Sequence, residues 1–214
     1  MRKLIIISMI TVLALVSIYF FVWNGGYNIR LTQVTESDLD GLTNFSFEAV
    51  MYEKIEEREA IVIIVADNWI RFILDEYISI FNTEEMREYH LHEREQIAYA
   101  LPLSEENIRN PKEMFFSFNH LFEERGSVRW RLIGTEMIDG NECYVYVTRL
   151  RDGSVRLYRL VDRNIYVKVI RYDIDGNQVR MHQLRNLRLS GVTEDEVRVP
   201  EGFEIVDGSL WNEE

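Results

Sequence analysis

His90 and His92 stand two residues apart, the spacing that puts two imidazoles on one face of a strand. Two imidazoles so placed can ligate a divalent metal. Glu93 is adjacent, and a third nitrogen would have to come from His120 or His182. His-x-His alone is a weak metal signal, and the plainer reading is a strand with Tyr89 and Leu91 inward and both histidines wet. Asp173-Ile174-Asp175-Gly176-Asn177 has the acidic look of a calcium loop, but an EF-hand needs Gly at loop position six and a bidentate Glu at twelve, between helices. Here Gly176 comes too early, the twelfth position is Leu184, and the flanks alternate as strands, so the segment reads as a hairpin turn. Cys143 needs a neighbouring base or cation to become a nucleophile. Glu142-Cys143-Tyr144-Val145 supplies neither and reads as mid-strand, with Cys143, Val145 and Val147 on one packed face. There is no Gly-rich phosphate loop, no G-x-S-x-G and no H-E-x-x-H. No local motif supports catalysis, and no cofactor or metal is expected.

The remaining candidate is apolar. Asn110-Pro111 opens a segment from Lys112 to Glu124 that Gly126 closes, with Pro111 suited to a first helical turn and Gly126 to a C-cap. Met114, Phe115, Phe118, Leu121 and Phe122 recur there at three- and four-residue steps, which makes one apolar helix face. Ser104 before Glu105 and Glu106 marks an earlier, shorter helix. Laid on a sheet, the five-residue stripe either fills an ordinary core or encloses a cavity for an acyl chain or an apolar peptide.

The elements around it read as strands. Phe45, Phe47, Ala49 and Met51 alternate with Ser46 and Glu48, and Ala60 to Val65 is a β-branched run buried on both faces. Trp69 to Leu74, Tyr77 to Phe81, Arg87 to His92 and Gln96 to Leu101 follow as a meander. After the helical segment come Val128 to Ile138, Glu142 to Thr148, Ser154 to Val161, Ile165 to Asp173 and Asn177 to Leu189. Asp139-Gly140, Asp152-Gly153 and Asp175-Gly176 are strong hairpin signals between them. Glu36 to Leu42 is a helical turn capped by Thr35 or Ser37. The inventory is about ten strands, too many to stay flat and uncovered.

The 214 residues carry 24 Lys and Arg against 36 Asp and Glu, a net charge of −12, which excludes a nucleic-acid binder. One cysteine excludes an intramolecular disulfide and a Cys-ligated zinc site. Arg2 and Lys3 precede an uncharged run from Leu4 to Trp23, long enough as a helix to span a bilayer. Bulky aromatics at its exit and the absence of a small-x-small site read as an uncleaved signal anchor, with the amino terminus cytoplasmic and residues 24–214 extracytoplasmic. The expected division is an anchor over 1–23, a spacer over 24–35, one domain over 36–206 and an acidic tail over 207–214.

The order of short motifs resembles the LolA/LolB/RseB-like superfamily. Asn68-Trp69-Ile70-Arg71-Phe72 and Tyr77 to Phe81 are similar to its early strand pair. Gly134 to Val147 (GTEMIDGNECYVYV), Asp152-Gly153, Tyr166 to Gly176 (YVKVIRYDIDG), Leu184-Arg185-Asn186 and Val199-Pro200-Glu201-Gly202-Phe203 follow its later order. The resemblance covers roughly 36–206 and implies a mainly β (α+β) fold, a curved antiparallel half-barrel with helices on its concave face, here preceded by one transmembrane helix. It further implies a non-enzymatic protein that binds acyl chains or hydrophobic protein segments. An N-terminal anchor departs from soluble carriers and lipidated receptors. The expectation is therefore a tethered binding module for a lipid or hydrophobic peptide, with Met114, Phe115, Phe118, Leu121 and Phe122 lining the cavity. The alternative is an envelope protein-interaction, sensor or assembly protein without a cavity, marked by an exposed apolar patch or an open strand edge.

Overall fold

The chain reverses direction on residues held at positive φ. The computed structural model describes residues 28–29, 31–32, 35–40, 42–103, 115 and 128–208. Lys54, Asp67, Asp75, Met86, Gln96 and Asp139 have φ between 47° and 59°, and each lies in a turn between two strands. Asp139 and Gly140 are both positive, as a type I′ hairpin turn requires. At the 173–177 turn the Asp173 carboxylate accepts the backbone N–H of Asp175 at 3.0 Å and of Asn177 at 2.8 Å, so this acidic segment caps its own turn.

The strands are β1 (Asn28–Ile29), β2 (Phe45–Glu53), β3 (Glu56–Ala66), β4 (Trp69–Leu74), β5 (Tyr77–Asn82), β6 (Arg87–His92), β7 (Ile97–Pro102), β8 (Trp130–Ile138), β9 (Asn141–Leu150), β10 (Gly153–Leu160), β11 (Tyr166–Tyr172), β12 (Gln178–Arg188) and β13 (Glu204–Asp207). They form one 13-stranded sheet in the order β1-β8-β9-β10-β11-β12-β2-β3-β4-β5-β6-β7-β13. Two meanders, β2–β7 and β8–β12, are joined where β12 pairs antiparallel with β2. Arg185 clamps that seam. It donates to Glu48 Oε1 at 2.5 Å and to the Tyr52 hydroxyl at 2.8 Å, while Asn186, held at φ 52° in the β12 bulge, donates to Glu48 Oε2 at 3.0 Å.

The sheet is curled. Gln183 on β12 donates to Asp139 in the β8–β9 turn at 3.2 Å. In a flat sheet, three strand spacings would separate them by roughly 14 Å. Both faces of β9 and β10 are consequently buried: Leu157, Tyr146 and Val155 on one, Val145, Cys143 and Tyr158 on the other. A 3-10 turn over Glu36–Leu39, capped by Thr35, seats Leu39 in this core, and Asn164 ties it down by donating to Asp38 at 3.0 Å.

Several expectations need correction. The sheet is mixed, not antiparallel throughout, because β13 runs parallel to β7. Among the described residues it has thirteen strands, not about ten, because β1 and β13 are too short to show alternation and become strands only by pairing with β8 and β7. Helices over the sheet are not seen. Among the described residues, helical structure is confined to two 3-10 turns and the single positions Phe115 and Gly208. The expected helix over 112–124 otherwise lies outside the described residues, as do Ser104 and the run from Leu4 to Trp23. Among the described residues no helix is long and apolar enough to cross a membrane, so the transmembrane helix and the single-pass placement built on it are not supported. A helical span needs about 20 continuous apolar residues, and the backbone hydrogen bonds of the described residues lie almost entirely in the sheet.

The parallel pair has a mechanical cause. After β12 the chain crosses the face opposite Phe47. Val192 and Val197 pack on Ala66, and Val199 and Phe203 cover Ile78, Ile80, Tyr89 and Leu91. Arg198 lies over the Trp69 ring at 5.6 Å. This strap reaches β7 at its start, where Glu204 N–H donates to Gln96 C=O at 2.8 Å, so β13 can run only in the direction of β7. Arg188 anchors the strap to Glu196 at 2.5 Å. The Arg188 guanidinium and the Thr193 N–H hold the Glu196 carboxyl at about 2, below its ordinary 4.5. A depressed carboxyl stabilises above its unfolded value, and the gain disappears as pH falls through 2. Glu196 is partly exposed, so the effect is about 1 kcal/mol. Urea titrations are expected to separate wild type from Glu196→Gln by that amount at pH 6 and to merge them near pH 2.

Candidate functional site

Strand alternation places Phe45 and Phe47 on one face of β2, their rings stacked at 6.3 Å. Phe115 meets both edge-on, at 5.5 Å and 5.1 Å, and is fully buried. Of the five stripe residues, Phe115 alone is described, and it sits against the sheet. Met114, Phe118, Leu121 and Phe122 lie outside the described residues. From Phe47 the register carries one line of side chains across the sheet on that face: Ile63, Phe72, Ser79, His90 and Tyr99. A second line runs from Phe45 through Val65 and Ile70 to Phe81. Phe45, Phe47, Ile63, Val65 and Ile70 are buried, whereas Phe72 and Phe81 are only half-buried. The face therefore grades from aromatic and closed at β2 to polar at β5–β7.

His90 belongs to this polar end. Its Nδ1 lies 2.5 Å from the Tyr77 hydroxyl and 3.4 Å from Ser79 Oγ, and its Nε2 lies 3.0 Å from Glu88 Oε1. With Nε2–H donated to Glu88, Nδ1 accepts from Tyr77, and neither nitrogen is left to bind a metal. Ser79, His90 and Glu88 have the connectivity of a nucleophile relay. Ser79 is 1% exposed, however, and Tyr77 holds Nδ1 more closely, so no nucleophile is presented. His92 stands T-shaped on Tyr99 at 5.0 Å. His182 lies on β12, five strands away from β6 in the sheet order, and His120 lies outside the described residues. Among the described residues, no three His, Cys, Asp or Glu side chains are placed to hold a metal ion.

Cys143 is buried, and burial, together with Asp162, Asp139 and Glu142, pushes its thiol up to about 11. A thiol is inert without its thiolate. Folded protein is expected to show no reaction with Ellman's reagent at pH 8 and one equivalent in guanidinium, so the reagent reports unfolding.

Two features escaped sequence reasoning. Lys168 is half-buried over the Tyr158 ring at 5.7 Å, with Asp139 and Glu136 nearby, and burial lowers its pKa. Its neighbours come from separate strands, so no local motif marks it. The second feature is β8, exposed from Arg131 to Met137 although its sequence reads as an ordinary strand. At the opposite margin, an open groove of about 460 Å³ lies between the β5–β6 turn, β7 and β13, bordered by Glu85, Arg87, Pro102 and Asp207.

No family model matches the chain, and no curated protein matches it. Among solved structures it is similar to an uncharacterized conserved protein of Thermus thermophilus, with 12% identity and a TM-score of 0.37 over 80% of this chain and 94% of that one. It is also similar to the MucA/MucB complex structure of Pseudomonas aeruginosa, with 13% identity and a TM-score of 0.40 over 80% of this chain, which spans 62% of the matched chain's length. A LolA superfamily protein of Nitrosomonas europaea shows 11% identity and a TM-score of 0.31 over 76% of this chain and 94% of that one.

Proposed function

We propose that this chain is a binding module that takes a hydrophobic ligand, an acyl chain or an apolar protein segment, against the sheet face bearing Phe45 and Phe47. The observation that supports it most is the gradient along that face, from buried aromatics at Phe47 and Phe115, through half-buried Phe72 and Phe81, to polar Ser79, His90 and Tyr99. An amphiphile laid along it sets its apolar part on Phe72 and Phe81 and its polar part toward His90 and Tyr77. The facing wall in this proposal is Met114, Phe118, Leu121 and Phe122, which share a sequence stripe with Phe115. The work is binding rather than catalysis.

Native mass spectrometry of the full-length protein, followed by titration with a dansylated fatty acid, tests this reading. A bound acyl species is expected, with affinity at least tenfold weaker in Phe118→Asp at unchanged circular dichroism. A protein that carries no lipid and takes up neither the fatty acid nor phospholipid from vesicles removes the acyl ligand. If apolar peptides also fail to bind, the module reading goes with it.

A further inference from the structure

Strand β8 leaves more of itself bare than its neighbour β9. Leu132, Ile133 and Met137 are 37%, 45% and 63% exposed, and every residue from Arg131 to Met137 is exposed, whichever face it occupies. Its outer edge is paired only at Trp130 and Arg131, by β1, and from Leu132 to Ile138 no described residue pairs with it. N–H and C=O groups that no described residue pairs, flanked by exposed apolar side chains, are a template for another strand.

Charge narrows the occupant. Residues 45–103 hold 13 Asp and Glu against 5 Lys and Arg, a net −8, whereas residues 130–188 hold 11 Lys and Arg against 7 Asp and Glu, a net +4. The bare edge belongs to the positive half. Arg129, Arg131, Arg149 and Arg151 are all exposed and gather where β8 begins: Arg131 lies opposite Val147, and the Thr148 hydroxyl donates to the Arg129 carbonyl at 3.0 Å. A second copy is a poor fit. Ile133 is an extra residue at a bulge between Leu132 and Gly134. Two β8 edges paired with each other would keep side chains on common faces over only about five residues, and bulges are a device that blunts self-pairing.

We propose that the outer edge of β8, from Leu132 to Ile138, captures an extended segment of a partner protein by strand addition. The segment is apolar in its middle and carries carboxylates at the end beside Arg131 and Arg149. The apolar side chains supply contact with Leu132, Ile133 and Met137, and the carboxylates supply orientation and a faster, salt-sensitive encounter.

The probes are two fluorescein-labelled peptides with a Val-Thr-Val-Thr-Val core, one flanked at both ends by Asp-Asp and the other by Lys-Lys. Anisotropy and amide hydrogen exchange are read on the full-length protein. The Asp-flanked peptide is expected to bind at least tenfold tighter, to weaken with salt, and to slow exchange across 132–138. Arg131→Glu should reverse the preference. The Ile133→Lys/Met137→Lys double variant should lose binding at an unchanged melting temperature. Equal affinities, or no slowing at 132–138 with saturating Asp-flanked peptide, overturn the proposal. So does protection of that edge without peptide, rising with protein concentration alongside a dimer in sedimentation, because the occupant is then a second copy.

Discussion

Gly153→Ala is expected to lower stability by about 4 kcal/mol, the sum of a forbidden backbone conformation and a steric clash. Gly153 opens β10 at φ +151°, and a Cβ there would sit 2.0 Å from the Tyr172 carbonyl oxygen. That oxygen belongs to the neighbouring strand, in register beside Ser154, and cannot retreat without opening the β10–β11 ladder. Gly134 is the control. Its φ is +153°, yet a Cβ there meets nothing within 4 Å, so Gly134→Ala carries only the backbone cost, about 1–2 kcal/mol. For a chain of this size the first variant should melt roughly 10 °C below wild type and the second within about 5 °C. Equal melting temperatures would show that the close approach at Tyr172 does not exist in solution.

The second large effect is at Phe115. Phe115→Ala removes a fully buried ring that contacts both Phe45 and Phe47, and the loss is expected to be about 3–5 kcal/mol. Phe47→Ala should cost a similar amount. The double variant should lose less than the sum, because the cavity left by one ring overlaps that left by the other. Urea titrations of the two singles and the double check this. Phe115 thereby differs from Phe118, whose replacement is expected to change ligand uptake and not folding. If Phe115→Ala melted like wild type, the contact between this stripe and β2 would be wrong, and with it the wall proposed for the binding face.

Local chemistry was legible in the residues themselves. Alternation set which side chains of β2 share a face with Phe47, since a strand repeats every two residues, but not which are covered: Ser46 and Val50 on the other face are buried, and Ala49 and Met51 only half-buried. Asp139-Gly140 announced its hairpin because both residues tolerate positive φ. The mid-strand environment of Cys143 was readable for the same reason, and so was the turn role of Asp173. A capped turn after residue 35 was legible with Thr35 or Ser37 as its cap, and the structure selects Thr35 and ends the turn at Leu39.

What pairs at a distance was not legible. β1 and β13 are strands only because β8 and β7 offer them edges, and β13 is parallel only because the strap from Arg188 to Phe203 delivers it to the start of β7. The join of β12 to β2, more than 120 residues apart in sequence, rests on Arg185 and Glu48 meeting across it. The gradient from Phe47 to Tyr99 is spread over six strands, one residue from each, and only register aligns them. The bareness of β8 follows from its place near the margin of the curled sheet, while its composition matches that of covered strands. Periodicity is a property of neighbours along the chain. Edges, register and exposure are properties of neighbours in space, and in this protein those decide where a ligand or a partner can bind.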